Sequence, residues 1–205
     1  MNTRCPRTAS RSLLTCAALL LLAACGGSRA GSTPALVAGA PARPQPSAPF
    51  ALTVLFPLIY DAPSGTVPDT TVTVTPGAPR VIVLRHTAQD LDVFAALSIA
   101  AGSFGGNAPV TVRLTPIAGQ YGVEIQASGP ILEPLTLEFR YGRHFTPPPG
   151  AMERYVSRLG FERALAIAQQ TSATEAVLLP SSRPALDFLA AAIFDNGRYF
   201  VAAPQ

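Results

Sequence analysis

The sequence predicts an all-β protein, an antiparallel β-sandwich of the Ig-like kind with a short helical insert. Three successive segments, residues 110–115, 121–126 and 135–141, alternate apolar and polar side chains with a period of two. Such alternation is typical of strands that are covered on one face only. Turn residues separate the three segments, and several strands at short spacing favour an antiparallel sandwich.

Further strands are predicted on the N-terminal side of these three. Residues 50–60 are nearly all apolar, and Pro57 within them indicates a strand that bends or lies at a sheet edge. Residues 71–75 alternate Thr with Val, and residues 81–84 form a short apolar run. Both segments therefore favour strands over helices.

The region after the third alternating segment contains the predicted insert. Residues 151–159 are expected to form two or three helical turns. Residues 164–169 have a helical composition, but their short length and the turn at residues 171–174 favour a hairpin with residues 176–179. Composition alone leaves open whether residues 164–169 form a strand or a helix.

The last two strands are predicted to pair with each other. Residues 187–194 and 198–202 are apolar enough to be buried strands. They are separated by Asp195-Asn196-Gly197, and Asn-Gly suits a tight two-residue β-turn. We therefore expect a C-terminal hairpin.

The first 25 residues have the three parts of an export signal. Arginines precede a short apolar run, residues 13–22, and the segment ends at Leu22-Ala23-Ala24-Cys25. These four residues resemble the lipobox of bacterial lipoproteins, in which the cysteine sulfur receives diacylglycerol and the chain is cut before it. The resemblance implies a signal peptide at residues 1–24 and lipidation of Cys25. An ordinary secretory signal with a chance cysteine is the alternative.

A tether is predicted between the lipid and the folded domain. Residues 25–49 hold the lipidated cysteine and a Pro/Gly/Ala-rich linker, and residues 50–205 form a single domain. Fully extended, the linker would reach roughly 70 Å. Gly26 stands where lipoproteins retained in the inner membrane usually have Asp. For a cell with two membranes, the resemblance therefore favours anchoring in the outer membrane, facing the periplasm, over anchoring in the inner membrane.

The net charge gives little support for a nucleic-acid partner. The chain carries 15 arginines, no lysine and 12 acidic residues, for a net charge of +3. Three of those arginines leave with the signal, which leaves 12 arginines against 12 acidic residues. A chain of about zero net charge should bind nucleic acid no better than a neutral protein does.

The cysteines are all accounted for by the export signal and the lipid. Cys5 and Cys16 leave with the signal, and Cys25 carries the acyl groups. We therefore expect no disulfide, no thiolate nucleophile and no sulfur-ligated metal. The domain must be held together by packing alone, and about 155 residues suffice for one core.

One serine lies in a motif that resembles a catalytic turn. Residues 101–105, Ala-Gly-Ser-Phe-Gly, are a variant of the nucleophile elbow. That motif needs a helix after the serine, whose amides and dipole stabilise the oxyanion. Here a Gly-rich turn and a strand follow. Ser103 is therefore predicted to be a turn residue and not a nucleophile.

The histidines and neighbouring acids give the one candidate metal site. His86, Asp90 and Asp92 offer one nitrogen and two oxygens. The favoured interpretation is a polar loop in which an Asp caps the segment that starts near Leu91. His144 is interpreted as an exposed strand end. No metal and no cofactor are predicted, and replacing either histidine by Ala should change stability by only about 0.5 kcal/mol.

Four charged side chains lie on the outward parity of the predicted strands. They are Arg113, Glu124, Glu138 and Arg140. Pairs that cross between neighbouring strands explain them better than paired catalytic acids do. The Gly-rich stretches also lack the spacing and the Lys of a phosphate-binding loop. No catalytic residue is therefore predicted.

Residues 97–104, Leu-Ser-Ile-Ala-Ala-Gly-Ser-Phe, resemble a corner of the ZU-type domain, although Ala100 replaces its usual Pro. That domain is a β-sandwich found in ankyrins, netrin receptors and many bacterial envelope proteins. Some members cut their own chain at a His-Phe-Ser before the closing strand. Here residues 195–197 are Asp-Asn-Gly, so self-cleavage does not carry over. Residues 121–125 and 135–141 resemble the strands that follow this corner in the family, and residues 198–202 resemble its closing strand.

Two functions remain open from the sequence. The favoured one is a lipid-anchored cell-envelope protein whose non-catalytic sandwich is an interaction or scaffolding module for a protein or an envelope polymer. The alternative is an enzyme, or an enzyme accessory, that acts on an envelope polymer through a site scattered along the chain. An enzyme should gather His, Asp, Glu or Arg into one pocket, whereas a module should offer a flat or loop-built surface.

Overall fold

The computed structural model describes Arg43 and residues 47–60, 66–87, 91–142 and 145–205. Cys25 and the lipobox, almost all of the predicted tether, Asp90 and His144 lie outside the described residues. Across the described ranges, no helix is both long enough and apolar enough to cross a membrane.

Strands dominate the described residues, as the alternation predicts. Two short helices, α1 (Ala151–Tyr155) and α2 (Arg158–Ala164), and one 3-10 helix (Leu52–Val54) complete the regular structure. In chain order the strands are β1 (Phe50–Ala51), β2 (Leu55–Pro57), β3 (Ile59–Tyr60), β4 (Thr70–Val74), β5 (Arg80–Arg85), β6 (Val93–Ile99), β7 (Val110–Pro116), β8 (Gly122–Ala127), β9 (Leu135–Arg140), β10 (Phe145–Thr146), β11 (Ala166–Gln170), β12 (Glu175–Leu178), β13 (Ser181–Ser182), β14 (Phe188–Ile193) and β15 (Gly197–Pro204).

Two packed antiparallel sheets confirm the predicted sandwich. The larger sheet has the strand order β1-β12-β11-β15-β8-β7-β4, and β2 also pairs with β15. The smaller sheet has the order β13-β14-β9-β6-β5, and β3 pairs with β10 separately. All of these pairings are antiparallel. The inner faces of the two sheets form the main core.

The period-two pattern correctly predicted which side chains are buried. Leu137 and Phe139 of β9 share a parity with Tyr141, and all three are fully buried. In β7 and β8 the inward residues are likewise buried, while Thr111 and Gln126 on the opposite parity are exposed. The outer faces of these strands therefore meet water, as the alternation predicts.

The segment at residues 50–57 covers part of the outer face of the larger sheet. It forms β1, the 3-10 helix and β2 instead of one bent strand, and it pairs with β12 and then with β15. Leu55 packs there against Ala168, Phe200 and Ala202 in a second, smaller core. As a result β15 is buried on both faces, which explains its continuous apolar run.

The predicted helical insert is present and extends five residues beyond residue 159, to the end of α2. Ser157 is the N-cap of α2, and its Oγ accepts a hydrogen bond from the backbone N–H of Gly160 at 3.0 Å. After α2 the chain enters β11, which pairs with β12 around the turn at residues 171–174. The hairpin interpretation of this region is therefore confirmed.

The predicted C-terminal hairpin is wrong, because β14 and β15 lie in different sheets. Asn196 redirects the chain between them. Its Oδ1 accepts a hydrogen bond from the backbone N–H of Ala127 at 2.8 Å, and its Nδ2 donates to the Ala127 carbonyl at 2.9 Å. The Tyr199 hydroxyl also donates to the Asp195 carbonyl at 2.6 Å. These bonds hold a corner that crosses from one sheet to the other.

Phe139→Ala should lower the free energy of unfolding by about 3–5 kcal/mol, as large-to-small changes in a core do. The Phe139 ring is fully buried and lies edge-to-face with Phe94 at a centroid distance of 5.9 Å. Urea denaturation measures the loss. Thr136→Ala on the exposed face of the same strand is the control, with an expected change within about 0.5 kcal/mol. An unchanged midpoint for Phe139→Ala would contradict the register of β9.

Candidate functional site

His86 does not lie in an exposed polar loop, contrary to the sequence prediction. It follows β5 directly, is only 1% exposed, and contributes to the aromatic core between the sheets. Its ring makes edge-to-face contacts with Tyr60, Phe94 and Tyr121 at centroid distances of 5.7, 5.3 and 6.1 Å. The signal was present in the sequence, because His86 shares its parity with the inward residues of β5. Replacement by Ala therefore opens a cavity and cannot be treated as a surface change.

The candidate metal set is only partly described. The carbonyl of Asp92 accepts a hydrogen bond from the backbone N–H of His86 at 3.0 Å, while Asp90 lies outside the described residues. Within the described ranges, no three side chains of His, Cys, Asp or Glu gather in a way that would hold a metal ion. The His86 ring packs edge-to-face against its aromatic neighbours.

Ser103 is a turn residue, as predicted. Its side chain is fully buried, and its Oγ accepts a hydrogen bond from the backbone N–H of Ala100 at 3.0 Å. Its own backbone N–H donates to the Ala100 carbonyl at 3.1 Å. The next regular element is strand β7, so no helix N-terminus is aimed at the hydroxyl. The serine therefore tightens the corner between the two sheets.

Among the described residues, Arg113 forms an ion pair between neighbouring strands and Arg140 forms one along its own strand. Arg113 of β7 contacts Asp69, next to β4, at 2.7 Å. Arg140 contacts Glu138 of its own strand at 2.7 Å, and its guanidinium carbon also lies 4.3 Å from the centroid of the Phe188 ring on the neighbouring strand β14. Gln126 donates to Glu124 of its own strand at 2.6 Å. Exposed pairs of this kind contribute about 0–1 kcal/mol each. They lie on two different sheets, so they do not form one site.

Sequence reasoning did not identify the contacts of Arg183. Its guanidinium donates to the Tyr141 hydroxyl at 2.7 Å, to the Leu165 carbonyl at 2.8 Å and to the Glu162 carbonyl. The two carbonyls end α2, so the arginine caps this helix and joins it to the end of β9. Its loop position, with no periodic pattern, gave no signal in the sequence. The arrangement holds the insert in place, and Arg183 also lines a surface hollow together with Leu159 and Leu186.

Two hollows of the described surface are lined mainly by apolar side chains. One, of about 260 Å³, lies between the β11–β12 hairpin and the end of β14, and Val177, Leu179 and Ile193 line it. At this hollow the Arg43 guanidinium contacts the Asp195 carboxylate at 3.0 Å. The other, of about 410 Å³, lies beside β5 and includes the side chain of Arg80. Both are mainly apolar, so they suit contact with side chains better than proton transfer.

Burial raises the pKa of three tyrosines above the ordinary value. Burial is the largest cause at Tyr141, Tyr155 and Tyr199. At Tyr141 the nearby Arg183 guanidinium lowers the pKa but does not offset the burial. The chain has no lysine, and arginine stays charged, so tyrosines dominate the titration of the folded domain in the alkaline range.

Stability should therefore fall as the pH rises above about 10. The unfolded chain, in which tyrosine titrates near pH 10, loses its phenolic protons first, so the folded state binds more protons and the free energy of unfolding decreases. Below that pH both states are protonated and the contribution is complete. Urea denaturation at about pH 8, 10 and 11 measures the loss. Tyr199→Phe should make the decrease shallower, and an equally steep decrease in that variant would contradict the assignment.

The structure supports classification by fold: two packed antiparallel sheets with a short helical insert. Comparison of the chain with protein-family models, with curated proteins and with solved structures gave no match.

Proposed function

We propose that this chain is a lipid-anchored cell-envelope protein whose β-sandwich is a non-catalytic interaction or scaffolding module. The observation that carries the proposal is the sequence Leu22-Ala23-Ala24-Cys25 at the end of an export signal. Diacylglycerol on Cys25 would hold the protein at the outer membrane, on the periplasmic side. The Pro-rich tether would let the domain stand away from the lipid surface.

The arrangement of polar side chains supports a module more than an enzyme. The outward charges lie in separate surface pairs on both sheets, and the hollows are lined mainly by apolar side chains. His86 is used in the core, and the hydroxyl of Ser103 is used in a turn. Acid–base catalysis needs such groups placed together at one reacting atom. Surfaces built in this way are better suited to contact with a protein or an envelope polymer.

We infer in addition that the sandwich is a divergent relative of the ZU-type domain. The corner at residues 97–104 supports this, because Ile99 and Phe104 are buried on either side of the turn that Ser103 closes. The proposed closing strand, β15, is central in the larger sheet. Asp195 and Asn196 form a corner between the sheets and offer no nucleophile equivalent to the serine of self-cleaving members.

Cys25→Ser should prevent lipidation and leave an uncut precursor, because the sulfur is the acceptor of the diacylglycerol. Detergent phase partitioning and the size of the protein on a gel measure both effects. Cys16→Ser is the matched control, because it removes a cysteine inside the signal and leaves the lipobox unchanged. Wild-type protein recovered in the soluble periplasmic fraction would contradict the anchor.

The non-catalytic function predicts that neither the His86 nor the His144 imidazole is required for activity in the cell. His86→Phe keeps an aromatic ring in the core, and His144→Ala removes the other imidazole. A strain that lacks the wild-type gene should be complemented by the double variant as well as by wild type. Urea denaturation of the same protein checks that it folds. A double variant that folds normally but does not complement would favour the enzyme acting on an envelope polymer.

A further inference from the structure

Strand β5, Arg80–Arg85, leaves one edge of the smaller sheet open. Among the described residues it pairs with β6 alone, and it is six residues long without a proline. In an antiparallel pair, every second residue directs its N–H and C=O away from the partner strand. A strand in this position can add an extended peptide through main-chain hydrogen bonds.

The side chains of β5 favour an apolar partner segment. Ile82 and Leu84 point into the core and are buried, whereas Val81 and Val83 on the outer face are 56% and 39% exposed. A strand added beside β5 would continue the alternation of the sheet. Its outward side chains would cover the two valines, and β-branched residues make the best neighbours for valine there.

The hollow beside β5 gives such a segment a place for a side chain. It has a volume of about 410 Å³ and lies next to the first two residues of the strand. Main-chain pairing supplies affinity in this mode of recognition, and pockets for alternate side chains supply specificity. Its lining includes Pro79, Arg80, Val81, Ile99, Pro134 and Thr136.

The charges at the two ends of β5 determine the kind of partner. Arg80 and Arg85 are both exposed, and the guanidinium of Arg85 donates to the Leu91 carbonyl at 3.0 Å. A second copy that paired antiparallel about a two-fold axis would bring Arg80 of one chain near Arg85 of the other. Like charges on neighbouring positions are unfavourable in a sheet, whereas carboxylates at the ends of a peptide would be attracted.

We propose that the β5 edge binds an extended segment of a partner protein, with apolar residues at its centre and Asp or Glu at its ends, as an added strand. The proposal rests on the proposed function as an interaction module and names the surface and the partner chemistry. It uses main-chain pairing along β5, contact with Val81 and Val83, and ion pairs with Arg80 and Arg85.

The probe is the end-blocked, fluorophore-labelled peptide Glu-Thr-Val-Thr-Val-Glu, which in antiparallel pairing places Val opposite Val81 and Val83 and Glu opposite Arg80 and Arg85. The full-length chain in detergent is titrated into it and the fluorescence anisotropy is measured. The same peptide with Lys at both ends should bind about tenfold more weakly, because attraction becomes repulsion. N-methylation of alternate residues blocks one edge of the peptide. One of the two alternate sets should abolish binding and the other should leave it intact. Equal effects of both sets, or of neither, would overturn strand addition.

Charge exchange tests the named surface. Arg80→Glu should weaken binding of the acidic peptide about fivefold and strengthen binding of the Lys-ended peptide. Arg198→Glu, at an exposed position of β15 in the larger sheet, is the matched control and should change neither affinity. Equal losses in the two variants, or no binding by wild type, would overturn the proposal. So would a wild-type dimer in sedimentation that Arg80→Glu tightens, since a second copy would then occupy the edge with Arg80 near Arg85.

The peptide-binding, complementation and Cys25 experiments together distinguish failure of the β5 proposal from failure of the proposed function. An anchored protein that complements but does not bind the acidic peptide would remove the β5 site and leave the module intact. Peptide binding by a chain that fails the Cys25 test would instead keep the β5 site and remove the anchor.

Discussion

The stack of Phe94 on Tyr121 bridges the two sheets, and the sandwich depends on this contact. The ring centroids lie 5.2 Å apart with planes 14° from parallel, and Phe139 closes the cluster edge-to-face on Phe94. The backbone N–H of Tyr121 donates to the Leu58 carbonyl, and its carbonyl accepts from the Val201 N–H, both at 2.8 Å. The domain contains no cysteine, so the burial of these rings supplies the cohesion that a disulfide gives to small secreted sandwiches.

The same constraint explains why β15 lies at the centre of the larger sheet. Tyr199 and Val201 face the aromatic core, while Phe200 and Ala202 face outward and are covered by the segment at residues 50–57. A strand with both faces apolar needs cover on both sides, since an exposed outer face would form a large apolar patch. The segment before β3 is therefore part of the fold, and any tether must end before residue 50.

Much of the fold could be predicted because most strands have one solvent-exposed face. In β7, β8 and β9 this gives a regular alternation of apolar and polar side chains. Contacts between distant residues could not be predicted. Asn196-Gly197 signals a tight turn, but the bonds of Asn196 to Ala127 decide that the chain changes sheet. The hollow beside β5 joins Arg80 to Pro134, which are far apart in the chain and share no motif. The prediction that His86 lies in an exposed loop was wrong, although the sequence held the signal. His86 shares its parity with Ile82 and Leu84, which are buried in the core.

The proposed lipid anchor and the proposed partner-binding edge would lie at different edges of the sandwich. Strand β1 lies at one edge of the larger sheet, so a tether that precedes it would enter there. Strand β4 lies at the other edge, and a short turn leads from it to β5, the open edge of the smaller sheet. A lipid anchor would thus pull on the edge away from β5. The edge proposed for a partner would remain accessible while the tether is held at the membrane surface.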